Sequence, residues 1–123
     1  MQYMLLIYGE AGGAESLAED ELRALYQEYF RLGDDLRSQN KLVSSEELAP
    51  TTMATTVQVR SGDTLVTDGP FAETKETLGG YYLIEADSLD EAIEWASKIP
   101  SARLGTIEVR PVMQVPAGAE ARA

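Results

Sequence analysis

Cysteine and histidine are absent from this 123-residue chain. Without cysteine there are no disulfides, no thiolate nucleophile and no thiolate metal site, and nothing is learned about compartment, because cysteine-free chains occur in all of them. Without histidine the commonest general base and the commonest zinc ligand are both missing, so triad or zinc chemistry would need unusual substitutes. Basic residues are scarce as well: 10 Lys and Arg stand against 21 Asp and Glu, a formal charge of −11. Nucleic acid and anionic membrane surfaces both require a cationic footprint, and neither is expected as a partner. No apolar run approaches membrane-spanning length, and Met1 to Tyr8 lacks the basic start and small-residue cleavage site of a signal peptide, which points to the cytoplasm.

What is present has the length of one ordinary domain, expected over residues 1–115, with a small, polar tail, 116–123, expected to be disordered. Tyr3 to Tyr8 is apolar at every position and reads as a strand buried on both faces. Gly9 to Gly13 breaks it. Ser16 and Glu19 stand at capping-box spacing, and Leu22, Leu25, Tyr26, Tyr29, Gly33 and Leu36 then form one stripe of an amphipathic helix ending near Asn40. A loop is expected through Pro50. Thr55 to Arg60 alternates, with Val57 and Val59 on one side and Gln58 and Arg60 on the other, and Ser61-Gly62-Asp63 turns it into a short strand, Leu65 to Thr67.

After a turn-rich connection, Tyr81 to Ile84 repeats the all-apolar pattern of the first strand. Ser88 and Glu91 repeat the capping-box spacing, opening a helix with Leu89, Ala92, Ile93, Ala96 and Ile99 on its stripe and Pro100 as its stop. Thr106 to Val115 alternates, setting Ile107, Val109, Pro111 and Met113 against Glu108, Arg110, Val112 and Gln114, and Pro111 marks it as an edge strand.

The resulting order predicts an α+β fold of the ferredoxin-like βαββαβ type, a four-stranded antiparallel sheet with an extra hairpin strand. The two all-apolar runs fall at its centre. Two helices cover only one face of such a sheet, so the other face needs a cover, and a second copy is the simplest one. A homodimer is expected, with Gln58, Arg60, Glu108 and Arg110 walling a polar cleft beside the partner sheet.

The string Asp68 to Glu76, DGPFAETKE, runs on into LGGYYLIEA and is followed by DEAIEWA. From the opening QYMLLIYGE to the closing TIEVRPV the chain resembles the DGPF subgroup of the YCII-related family. The resemblance implies a dimeric α+β barrel and a bacterial group whose biochemical role is poorly defined. Its genes tend to lie beside extracytoplasmic-function sigma factors, which makes such a factor a candidate partner. Other YCII-related proteins carry a His and Asp pair regarded as a candidate catalytic site; with no histidine, this chain cannot use it.

Asp68-Gly69-Pro70-Phe71 has the composition of a tight turn, with Asp68 accepting backbone hydrogen bonds, Gly69 at positive φ, Pro70 fixing the next torsion and Phe71 anchoring the loop. Its functional alternative aims the Asp68 carboxylate into the cleft as a general acid or base. Lys75, between Glu73 and Glu76, is either part of a solvated charge cluster or a partner for an anionic substrate. Arg60 and Arg110, on strands, suit either an ion pair, with Glu108 or the partner subunit, or a bound carboxylate or oxyanion. Tyr8, Tyr81 and Tyr82 read as core or interface aromatics, with a phenol at the cleft edge, Tyr81 foremost, as the alternative. Gly9 to Gly13 lacks the Lys-Ser/Thr ending of a phosphate loop and carries Glu10, so it reads as a connector. No carboxylate set has metal spacing and nothing suggests a cofactor. Three readings compete: a cofactor-independent enzyme on a small anionic metabolite, a non-catalytic ligand-binding or regulatory module, and a small dimeric protein whose motif is purely structural.

Overall fold

The structure, a computed structural model, describes residues 1–119. Along the chain come β1 (Gln2–Glu10), α1 (Glu19–Ser38), β2 (Leu42–Glu47), β3 (Thr55–Arg60), β4 (Asp63–Asp68), β5 (Glu76–Glu85), α2 (Leu89–Ser97) and β6 (Thr106–Pro111). Four strands form one antiparallel sheet in the order β2-β5-β1-β6, while β3 and β4 pair only with each other. The fold is thus mixed α+β, and the two all-apolar runs occupy the centre of the sheet, where a strand is bonded on both sides.

Both helices lie on one face. Tyr3 and Leu5 from β1 and Tyr82 and Ile84 from β5 point into them and meet Leu32 and Leu36 of α1 and Ala92, Trp95 and Ala96 of α2. Each fully buried aliphatic side chain contributes about 1.5–3 kcal/mol of transfer free energy. The Tyr29 and Tyr82 rings stack at 6.4 Å between centroids, and the Tyr82 hydroxyl donates to the Tyr29 carbonyl at 3.3 Å. Gly80 is required where β2 crosses β5, since a Cβ there would stand 2.7 Å from the Glu46 carbonyl oxygen.

Several expectations need correction. The second strand of the sheet is Leu42–Glu47, in the stretch read as a loop; its Ser-Ser-Glu-Glu stretch hides a strand because an edge position tolerates polar and charged residues. Thr55–Arg60 does not join that sheet. It forms a separate hairpin with a β4 longer than Leu65 to Thr67, turning on Ser61 and Gly62 at φ 53° and 83°. Val57 and Val59 consequently face no helix. β6 stops at Pro111, which has no N–H to offer, rather than running to Val115, and Met113 is exposed.

At the helices, α1 begins at Glu19, not at Ser16. Ser16 instead closes a 3₁₀ turn, its hydroxyl donating to the Gly13 carbonyl at 2.7 Å. The Glu21 carboxylate accepts from the Ala18 N–H at 3.2 Å, and alanine has nothing to return. For α2 the Ser88 cap forms as expected, accepting from the Glu91 N–H at 3.1 Å. Its buried stripe is rotated, though: Trp95 is 6% exposed and Ile93 49%. Of the tail, Pro116 to Ala119 closes a turn through a 3.1 Å bond from the Ala119 N–H to the Pro116 carbonyl, and residues 120–123 lie outside the described residues.

Candidate functional site

Strand alternation puts a second set of side chains on the face that the helices leave uncovered. Register places Met4, Leu6 and Tyr8 of β1 beside Leu83 and Tyr81 of β5 and beside Thr106, Glu108 and Arg110 of β6. All five of the β1 and β5 residues named are half-buried, and none belongs to the core under the helices. The face therefore has an uncharged strip two strands wide, with a polar row along the β6 edge and Ser44 and Glu46 of β2 along the other.

That polar row is connected. The Tyr8 hydroxyl donates to one Glu108 oxygen at 3.3 Å, and the Arg110 guanidinium holds the other at 2.5 Å. The hydrogen bond from Arg110 keeps Glu108 below the usual carboxylate range, and the same bond raises Arg110 above its own. Further along, the Thr106 hydroxyl donates to Glu76 at 2.8 Å. Arg110 remains exposed, and one forked guanidinium can hold a protein carboxylate while presenting its other N–H groups outward, or exchange that carboxylate for a ligand's.

The remaining sequence candidates lie elsewhere. Arg60 ends β3 at the hairpin turn, donates to the Val59 carbonyl at 2.9 Å, and has no carboxylate within ion-pair distance among the described residues. Asp68 ends β4 opposite Thr55, exposed, and its carboxylate accepts no hydrogen bond among the described residues. The turn is instead held by Gly69, at φ 100°, whose N–H donates to the Ala54 carbonyl and whose carbonyl accepts from Thr56, both at 2.7 Å. Phe71 does not anchor that turn, being 88% exposed. Among the described residues Lys75 reaches only Glu10, at 4.0 Å, with both side chains exposed. Within one chain, then, Tyr81 and Arg110 share a face, whereas Arg60 and Asp68 sit on a hairpin that makes no extended contact with β1, β5 or β6. Tyr82, considered with Tyr81, belongs to the core.

A concavity of about 470 Å³ opens at one end of the sheet, lined by Glu10, Glu15, Tyr26, Glu47 and Leu78 among others and by no Lys or Arg. The Tyr26 hydroxyl donates to both Glu47 oxygens, at 2.9 and 3.0 Å, and that bond raises its pKa. Such a lining repels anions. No group of three or more Asp or Glu side chains among the described residues is placed to hold a metal ion, and no helix there is long and apolar enough to cross a membrane.

Comparison with known proteins adds the lineage. The model of the YCII-related domain matches residues 1–116. The chain belongs to the YCII-related family. An uncharacterized protein of Rhizobium meliloti (strain 1021) is 41% identical over 121 residues, covering 91% of this chain and 92% of that protein. The sequence places Glu108 in the cleft wall and offers it as an ion-pair partner of Arg110; its link to Tyr8 depends on the β1–β6 register and left no signal in either strand alone.

Proposed function

We propose that this YCII-related chain belongs to the DGPF subgroup, has the ferredoxin-like arrangement, and binds a small anionic metabolite on the open face of its sheet, as a homodimer of the α+β barrel kind. The strand order β2-β5-β1-β6, with both crossover helices on one side, supports the ferredoxin-like reading. The observation that carries the binding site is Arg110: an exposed guanidinium on the uncovered face, set by a rigid strand next to an uncharged strip and next to the Tyr8 hydroxyl. A carboxylate displacing Glu108 from Arg110 would gain the same charge-assisted hydrogen bond, with its apolar part on Leu6 and Tyr81.

A thermal-shift series against small carboxylates and keto acids tests this. At least one should raise the midpoint of the wild type in proportion to concentration and leave Arg110→Ala unmoved; equal shifts in both would remove Arg110 from the site. Catalysis is the second reading, and the partner-free Asp68 carboxylate favours it. A ligand turned over by wild type and bound but not converted by Asp68→Asn would establish that reading; no turnover of any bound ligand would exclude it for the panel.

A further inference from the structure

We infer that the β3–β4 hairpin is an arm exchanged between two copies of this chain, its valine side lying on the uncharged strip of the other copy's open face. This inference rests on the homodimer reading above and gives it a structural means.

The hairpin is out of place in an isolated subunit. Two paired strands with no third strand or covering layer are marginally stable in water at best. Here neither side is covered: Val57, Val59 and Val66 stand together on one side at 60%, 59% and 63% exposure, and Leu65 on the other is exposed as well. Its two ends are nonetheless joined, the Gly69 N–H donating to the Ala54 carbonyl and the Thr56 hydroxyl to the Gly69 carbonyl, so the hairpin is closed as a unit. A closed hairpin with an uncovered apolar side is the form of an arm that packs on something beyond its own subunit.

The identity of the partner follows from size and charge. The blade is two strands of six residues, about 10 Å by 20 Å at ordinary strand spacing and rise. The strip formed by Met4 and Leu6 of β1 with Tyr81 and Leu83 of β5 is also two strands wide. In a chain of net charge −11, like copies repel over most of their surfaces. These two patches are where they can meet with the fewest like charges opposed, since the blade's valine side carries only Asp68, at its base, and the strip itself carries none, its charged neighbours being Glu46 on β2 and Glu108 and Arg110 on β6. One blade on one strip covers roughly 200 Å² in projection, well below the roughly 800 Å² that a stable interface takes from each partner. A two-fold pair uses every blade and every strip and doubles that area to roughly 400 Å² in projection from each partner, so the arms supply about half of such an interface. Only a second copy offers both halves. The row Thr106, Glu108 and Arg110 would then stay open alongside the seated arm, so the arm forms one wall of the proposed ligand cleft.

The absence of natural cysteine makes the test direct. Val57→Cys and Leu83→Cys are prepared separately, mixed, and oxidised mildly at micromolar concentration, with light scattering on the unmodified protein in parallel. A disulfide joining the two different chains is the expected product. In addition, Val57→Asp combined with Val66→Asp should weaken dimerisation at least tenfold with the circular dichroism of the subunit retained, because both positions are exposed within one subunit. A dimer that gives no mixed disulfide and dissociates like wild type when both aspartates are present overturns the arm while leaving the dimer reading intact. A wild-type monomer overturns both.

Discussion

The two faces of the sheet are built from the same strands and end in opposite states. On one, Tyr3, Leu5, Tyr82 and Ile84 are sealed by two helices; on the other, Met4, Leu6, Tyr81 and Leu83 are only half-buried. Neighbouring residues differing by one position in the chain therefore have different energetic weight. Apolar character alone does not distinguish them, because period-two alternation between two apolar sets looks the same as a single continuous run. The covered face accounts for the stability of the subunit, and the open face, with the exposed hairpin, is where chemistry and association remain to be done.

The sharpest challenge to that contrast is to truncate adjacent residues of β5. Ile84→Ala, at a fully buried position, should cost about 2–5 kcal/mol in chemical denaturation, and Leu83→Ala, on the open face, less than half as much at protein concentrations low enough to keep subunits apart. Equal costs would mean that the open face is already covered within one chain. Next in size, Gly80→Ala should lose about 1–3 kcal/mol because its Cβ meets the Glu46 carbonyl, whereas Gly79→Ala, whose Cβ has nothing nearer than 3.9 Å, should lose well under 1 kcal/mol.

A smaller effect is expected from pH. The Tyr82 phenol, pushed up to about 12 from 10.0 chiefly by burial, is held protonated in the fold. Its contribution, on the order of 1–2 kcal/mol, should be intact below pH 10 and vanish as the pH rises from 10 through 12, since the unfolded chain ionises first. Urea midpoints measured across that range should fall in wild type and fall less steeply in Tyr82→Phe; identical slopes would place the alkaline sensitivity elsewhere. Smallest of all, Glu108→Gln on the open face should leave the denaturation midpoint at neutral pH unmoved while loosening Arg110 for a ligand, so that carboxylate affinity rises. A lower affinity would show that Glu108 orients Arg110 instead of competing for it.

Much of the covered half was legible in advance. The two central strands, the α1 stripe through Tyr29, Gly33 and Leu36, the Ser88 cap and the positive φ of Gly69 all follow from local pattern, because helix periodicity, capping and glycine freedom act over a few residues. The errors cluster where a strand's role depends on distant neighbours. Leu42–Glu47 is too polar to announce itself, yet β5 recruits it; Thr55–Arg60 has the better strand pattern and is left outside. Trp95 takes the core position expected of Ile93 because α2 meets the sheet at a slightly different rotation from the one its stripe suggested. The candidate site divides likewise. Arg110 and Tyr81 share a face as alternation required, while Arg60 went with the hairpin to a different surface.

The amino-acid sequence by itself determined which segments are central strands and that Ser88 caps the second helix; it also excluded thiol and imidazole chemistry, since composition and short-range spacing suffice for those conclusions. Tertiary structure alone decided which strand closes the sheet, which face the helices cover and which side chains Arg110 meets. Those outcomes depend on strand pairing between segments far apart in the chain, and pairing is chosen by the packing of the whole, which no local window contains.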